Sequence, residues 1–588
     1  MMLAPKSATL QETLLDLEKC TRYGARFVAP SEEATFYPYR DLVRRVQSAA
    51  ATLQAAGLLP GERVAVILPT SIEFFDAFLG TQMAGGIPAA MYPPFRLGKL
   101  DEYFARLRKM LAKIGARFLI TESRIKRLLG PAVVGLDCLE RVIDVKDLPG
   151  NETWRPVEVD PEAPAFLQFS SGTTVEPKAV VMSHNNLLHN LDMMQQSLVY
   201  RDESEVDNGA VCWLPLYHDM GLVGCLYLGL YYPGTVTYMG PDTFLMRPAI
   251  WLRTLSRYQA AISPAPHFAY SLCVNKIRDD EMQGVDLSRW RGALNGAEPI
   301  DPEGLERFAE RFARWGFRRE SMIPVYGLAE AGLAVSFYDI DLPPLVSQFD
   351  RDALSAEKRA VAGPGRKIVS VGKPLVGVDI EIRDEEMQPL AEGQVGRIWI
   401  KGPSITQGYY NDPELSSRII HNGWLDTGDV GFFSEGHLYI SGRAKDLIII
   451  RGRNYAPQEM EDLLTEVDGI RTGCVVAAGT VVEGAGEQLI LLAEKDIRSR
   501  RPEADVIADI KSRILAGLSL IPYHVDLLEP GTLPRTSSGK LRRSEALRQF
   551  LAGELTPPEK VNAFKLLLEV GKSQLAWGRF HVQKQVRQ

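Results

Sequence analysis

The sequence predicts an α/β protein. It has a large N-terminal part of two doubly wound α/β subdomains and a β-rich subdomain, followed by a small α+β domain. Three observations predict this. Short buried-strand runs alternate with helical patterns between Arg63 and Ile120, and again from Val211 to Tyr326; such alternation builds parallel sheets. From about Val371 to Ile440 the strands become short and alternating, with glycine turns between them. After Lys445 the pattern turns to α+β.

Taken in order, Arg63-Val64-Ala65-Val66-Ile67-Leu68 reads as a buried strand. Thr70 and Glu73 have capping-box spacing and announce a helix whose Ile72, Phe75, Leu79 and Met83 recur at helical spacing. A strand near Gly86–Ala90, a helix over Asp101–Ile114 and a strand at Arg117–Ile120 follow. Val211–Leu214 and Ala260–Ile262 are the strand candidates of the second half. Arg397–Lys401 and His437–Ile440 belong to the β-rich region, about 371–444. A domain boundary at Ala444-Lys445-Asp446 divides residues 1–444 from a domain over 445–555. Its strands are expected near Leu447–Ile450 and Gly473–Ala478, and its helices near Gln458–Val467 and Val506–Leu518. Tyr338–Lys367 lacks periodicity and reads as an inserted loop; a loop this long is usually functional or mobile. Residues 556–588 read as a basic helical tail with six Lys/Arg against two Glu. It is expected to pack on its own domain, with weak membrane-surface contact as the alternative.

At 588 residues the chain holds about three or four domain-sized units. Lys+Arg of 67 against Asp+Glu of 74 gives a net charge of −7, no footprint for nucleic acid. Six scattered cysteines without a C-x-x-C pair suit reduced thiols in a cytoplasmic protein. The N-terminus, with Glu12, Asp16 and Glu18, has no signal-peptide layout. Met220–Pro241 carries no charge, but Pro233-Gly234 splits it. A buried helix, a turn and a strand are expected there, not a membrane span.

Five stretches carry chemistry. Ser170-Ser171-Gly172-Thr173-Thr174, followed by Lys178, comes directly after the apolar run Ala165–Phe169. Hydroxyls and backbone N–H groups in such a loop can wrap a polyphosphate, and the lysine adds charge. No Gly-Lys-Ser/Thr closes it, so it is not the Walker pattern. In Tyr326-Gly327-Leu328-Ala329-Glu330, the aromatic can stack on a base and Glu330 offers a hard oxygen to magnesium. Asp429, in Asp426-Thr427-Gly428-Asp429, suits ribose hydroxyls. Arg443 suits a phosphate or ribose. Lys540 ends the loop Leu533–Lys540. Singly, Glu330 or Asp429 reads as a surface carboxylate or a cap, Arg443 as a salt-bridge partner and Lys540 as a solvated lysine; together they make a set for handling ATP.

The order of these stretches, over about residues 10–550, resembles the superfamily of adenylate-forming acyl ligases, non-ribosomal adenylation domains and firefly luciferase. Several further stretches are similar to its fatty-acyl-AMP ligase branch: Ala89–Pro94, Trp213–Gly221 with His218-Asp219-Met220-Gly221, Asn295-Gly296-Ala297-Glu298-Pro299, Gly452–Glu459, and the insert with Phe349–Leu354. In that branch the insert is associated with failure to use free coenzyme A. Val175 and Ala179 depart from the superfamily pattern, which often has glycine there and so a looser loop.

The resemblance implies ATP and Mg²⁺ as cofactors. Ser170–Thr174 and Lys178 would hold pyrophosphate, and Glu330 would place Mg²⁺. Tyr326, Gly327, Leu328, Ala329 and Asn295–Glu298 would frame the adenine. Asp429 and Arg443 would hold the ribose, and Lys540 would sit between the acyl carboxylate and the α-phosphate. His218 would be a polar wall near the acyl carboxylate, with Asp219, Gly221 and Phe268 along an acyl tunnel built partly from the uncharged segment after Asp219. Lys445 would be the hinge of a mobile small domain. The implied reaction turns a medium- or long-chain fatty acid into an acyl-adenylate. The acyl group then passes to the phosphopantetheine thiol of an acyl carrier protein on a separate chain, since the tail holds no Asp-Ser-Leu attachment site. Three rivals stand beside it: a fatty-acyl-CoA ligase, a pseudoenzyme that binds acyl-adenylate without turnover, and an amino-acid adenylation domain, which would need a pocket carboxylate for the substrate amine where the equivalent region looks apolar.

Overall fold

The computed structural model describes residues 5–94, 97–169, 177–198, 209–450, 453–465, 467–482, 486–536, 539–558 and 563–585. A six-stranded sheet runs in the order Arg141–Asp144, Phe118–Thr121, Arg63–Ile67, Ile87–Ala90, Pro164–Phe169, Ala179–Ser183. All its pairings are parallel except the last. A nine-stranded sheet is built around parallel Gly292–Gly296, Ile262–Pro266, Ala210–Cys212 and Val236–Met239. Its far edge is the chain's first hairpin, Gly24–Val28 and Ala34–Pro38.

The helix Ile72–Met83 is buried at every position but Glu73. A helix apolar on all sides needs cover on all sides. Its one buried charge, Asp76, is held by Arg45, with Nε 3.1 Å from Oδ1. The expected capping box is not formed: Ser71 is the N-cap and makes no side-chain bond there. The Ala260–Ile262 strand begins only at Ile262 and runs to Pro266, because Ala260 closes the preceding turn by donating its N–H to Leu255 O. The uncharged segment folds as helix Asp219–Gly221, a π-turn over Leu222–Tyr227, helix Leu228–Tyr231 and strand Val236–Met239. Among the described residues, no helix is long and apolar enough to cross a membrane.

The β-rich region is a five-stranded antiparallel sheet in which Trp424–Ser434 pairs with Gly396–Lys401 and His437–Arg443. A 3₁₀ turn, Ala444–Asp446, leads into the small domain. There Ile470–Val482, Gly486–Lys495 and His524–Leu528 form a sheet that shares a core with Glu503–Leu518. The helix near Gln458–Val467 is shorter than expected, Pro457–Leu463.

Two larger expectations are also corrected. Tyr338–Lys367 is not patternless. Val346–Asp350 pairs antiparallel with Gly365–Val369, and Arg351–Ser355 is helical. Phe349 anchors this hairpin between Phe432 and Tyr439 of the β-rich sheet. Its partner residues lie 83 and 90 positions away, which is why local periodicity missed it. The tail helix, Ala563–Gln585, does not pack on its own domain. It docks on the first α/β subdomain, with Phe580 3% exposed in a cluster with Leu107, Leu111, Leu129 and Val133. Ser573 Oγ accepts from Gly130 N–H at 2.9 Å, and Trp577 Nε1 donates to Lys126 O at 3.0 Å.

Candidate active site

A cavity of about 2230 Å³ lies between the large and small domains. Ala297, Glu298, Tyr326, Gly327, Phe268, Asp429, Arg443 and Lys540 all line it. Each is placed by local chain geometry. The strands Gly292–Gly296 and Met322–Gly327 lie side by side. A Cβ on Gly296 would stand 2.6 Å from Val325 O, and one on Gly327 1.8 Å from Leu333 O, so only glycine permits this approach. Ala297 then takes a left-handed φ of 65°. Such strain in a non-glycine residue tends to cluster at sites of function.

Asp429 faces Arg443 across the Trp424–Ser434/His437–Arg443 ladder. Its Oδ1 accepts from Arg443 Nε at 3.1 Å and its Oδ2 from Tyr326 OH at 2.7 Å. The carboxylate is therefore fixed in place while lone pairs remain for a ligand's hydroxyls. Asp429 is the largest influence holding the Arg443 guanidinium's pKa above its ordinary value. Burial, then Asp429, pushes the Tyr326 phenol well up, so it stays a donor. Asp429→Asn is expected to raise the KM for ATP about 10–100-fold and Tyr326→Phe less, about fivefold, in pyrophosphate exchange.

Lys540 sits at a tight turn. Thr536 N–H donates to Lys540 O at 2.7 Å, Lys540 N–H donates to Thr536 Oγ1 at 3.0 Å, and Gly539 has φ 91°. Loss of water lowers its ammonium pKa, and the carboxylates of Asp219 and Glu298 work against that loss. Glu298 Oε1 accepts from Phe268 N–H at 2.6 Å, tying it to the start of helix His267–Lys276. Burial raises the Glu298 pKa.

His218 Nδ1 lies 2.6 Å from Asp219 Oδ1, which also accepts from Met220 N–H at 2.8 Å. Burial opposes charge on Asp219, but His218, Lys540 and the Met220 N–H outweigh it and hold the carboxyl at about 2. The stability this depressed pKa supplies is present above the unfolded value of about 3.9 and is lost as pH falls toward about 2. Asp219→Asn is expected to melt at lower temperature than the native chain at pH 6 and to show a smaller drop between pH 4 and pH 2. A Cβ on Gly221 would lie 2.4 Å from Pro215 O, which explains the glycine in this turn.

A second group stands beside the cavity. Glu330, on the 3₁₀ turn Ala329–Ala331 entered through Leu328, accepts from Tyr409 OH at 2.8 Å through Oε1. The Lys178 ammonium lies 5.4 Å from the centroid of the Tyr409 ring. Sequence reasoning missed Tyr409; its one local signal is an aromatic pair after a glycine, Gly408-Tyr409-Tyr410. Glu330 Oε2 remains for a hard cation, and Mg²⁺ commonly takes one or two carboxylates with substrate phosphates and water. Among the described residues no cluster of three or more His, Cys, Asp or Glu could hold a metal by itself.

Other expected residues fall elsewhere. Asn295 is buried, with Nδ2 3.2 Å from His267 Nδ1, and does not line the cavity. Ser170, Ser171, Gly172, Thr173 and Thr174 lie outside the described residues. Of the uncharged segment after Asp219 only Pro241, its last residue, lines the cavity; the rest packs largely into the core. The apolar wall comes from Trp213, Tyr217, Leu245, Phe268 and Leu272. A segment with no charged side chains is better spent in the core than on a wall shared with ionic groups.

With this geometry in place, the AMP-binding enzyme family matches residues 18–410. The chain belongs to that family. It is 34% identical over 540 residues to a putative acyl-CoA synthetase of Caulobacter vibrioides, covering 88% of this chain and 90% of the relative. It is 32% identical over 550 residues to the medium-chain-fatty-acid–[acyl-carrier-protein] ligase JamA of Moorena producens, covering 89% and 91%. A solved structure from a study of fatty acyl-adenylate ligases of E. coli and L. pneumophila superposes with a TM-score of 0.87 at 34% identity, over 94% of this chain and 99% of that one. The large N-terminal and small C-terminal α/β arrangement is shared with it.

Proposed function

We propose that this AMP-binding enzyme activates a medium- or long-chain fatty acid with ATP, then hands the acyl group to the phosphopantetheine thiol of a separate acyl carrier protein. The observation that carries the reading is Lys540. This small-domain cation lines the cavity between the two domains together with Glu298, Asp429 and Arg443, and the Asp219 carboxylate acts on its charge.

A carboxylate and a triphosphate repel each other, so catalysis rests on positioning and on neutralising charge. The acyl carboxylate oxygen attacks the α-phosphorus, and the bond to pyrophosphate breaks with its electron pair leaving on pyrophosphate. Lys540 holds the attacking oxygen and the α-phosphate together. Asp429, kept in place by Tyr326 and Arg443, accepts the ribose hydroxyls. Lys178 and the 170–174 loop receive the leaving pyrophosphate. Glu330, oriented by Tyr409, would hold Mg²⁺, which supplies charge neutralisation on the phosphates. His218 needs no role as a base, because the nucleophile is already ionised at neutral pH; it fixes Asp219 instead. In the second step the thiol sulfur attacks the acyl carbon, AMP leaves and the thiol proton goes to solvent.

The insert supports a carrier over free coenzyme A. Its Arg366 pairs with Glu459 of the small domain at 3.2 Å and donates to Ser441 O at 3.1 Å. Its Asp352 pairs with Arg453 at 2.7 Å, and Arg351 donates to Gly517 O. The name of the Caulobacter relative favours the second reading, a fatty-acyl-CoA ligase. Mass spectrometry of products from a fatty-acid panel with Mg·ATP and coenzyme A separates the two. Accumulating acyl-AMP supports the carrier reading, and abundant acyl-CoA replaces it.

A further inference from the structure

The tail helix Ala563–Gln585 has two unlike faces. One is spent on the first subdomain through Glu569, Ser573 and Phe580. On the other, Leu567, Leu568, Leu575 and Val582 are 70%, 51%, 72% and 59% exposed. Leu568, Leu575 and Val582 are spaced seven apart, so they form one line along the helix. Exposed Lys572 and Arg579 follow Leu568 and Leu575 by four residues and flank that line.

The helix carries Lys565, Lys572, Arg579 and Lys584 against one carboxylate, Glu569, on a chain whose net charge is −7. Glu569 is buried and bonded to Lys572 at 2.7 Å. Exposed Arg124 and Arg127 flank Lys126, whose carbonyl takes the Trp577 N–H, and extend the basic surface. A second copy docked through this face would set Arg579 and its neighbours against like charges. An anionic surface would neutralise them while covering the leucines.

We propose that the exposed face of the tail helix docks the protein on an anionic lipid bilayer, with the helix lying in the plane of the headgroups. Lys572 also feels Asp101 at the start of helix Leu100–Ile114, whose Tyr103 and Arg106 line the cavity. The bilayer would therefore lie along an edge of the molecule close to that cavity. That this brings a membrane-borne fatty acid to the site rests on the function proposed above; the docking itself does not.

Flotation of the full chain with vesicles tests it, comparing phosphatidylcholine alone with phosphatidylcholine mixed with phosphatidylglycerol. Binding is expected to the mixed vesicles, to weaken in high salt, and to fall roughly tenfold or more with Arg579→Glu. The triple change Leu568→Ser, Leu575→Ser, Val582→Ser is expected to abolish it, with pyrophosphate exchange and the native melting temperature retained. No flotation with mixed vesicles, equal flotation with neutral ones, or flotation unchanged in both variants would overturn the proposal. So would a concentration-dependent dimer that the triple change abolishes, since the occupant would then be a second copy.

Discussion

Lys540→Ala is expected to lower acyl-adenylate formation by roughly a thousandfold, while thiol transfer from supplied acyl-AMP falls by less than about threefold. The asymmetry follows from where the charge is needed. In the proposed first step two anions meet, and Lys540 is the small-domain cation that shares the cavity with Glu298 and Asp429. In the second step a thiol meets an already activated carbonyl, and no triphosphate is present. Single-turnover assays of each half-reaction, with radiolabelled ATP for one and synthetic acyl-AMP for the other, read the two losses separately. Equal loss in both would mean that Lys540 holds the domains together instead of serving one step. Arginine at the position keeps charge but changes its shape, and is expected to recover only part of the activity.

Loosening the insert is the second large effect. Arg351→Ala with Arg366→Ala removes two side chains that tie the hairpin to Glu459 and Gly517 of the small domain. Acyl-CoA formation is expected to rise about tenfold over the native chain, with adenylate formation changed by less than about twofold. Charged pairs of this partly buried kind contribute on the order of 1–3 kcal/mol, enough to shift a domain equilibrium by roughly tenfold or more. Product mass spectrometry with free coenzyme A present reads the result. No acyl-CoA from the double variant would show that these contacts are not the barrier.

Much of this was legible in the chain. The strand–helix alternation and glycine turns are local signals, and Asp429, Arg443 and Lys540 stand in motifs whose neighbours are informative. Contacts between distant segments were not legible. The bond from Tyr326 to Asp429 joins residues 103 apart. It shows the hydroxyl of a residue singled out for its ring orienting a distant carboxylate. Gly24–Val28 pairs on one side with its hairpin neighbour Ala34–Pro38, but on the other with Val236–Met239, about 210 residues away, in the second sheet. Asn295, polar and within a recognised motif, spends its amide on His267 in the core. Residue type announces that a polar group needs a partner, but the fold decides which one.

The docked tail makes the small domain a segment held at both ends. One end is the turn at Ala444–Asp446; the other is the helix that Phe580 and Ser573 fasten to the first subdomain. Pro558 still rests against Gly531 of the small domain. From Pro558 to Ala563 the covalent chain can reach no more than roughly 17 Å. A swing that carries Pro558 farther than this must first peel the helix from its seat, exposing Phe580 and Trp577. Such a leash would cap the stroke of any swing of the small domain.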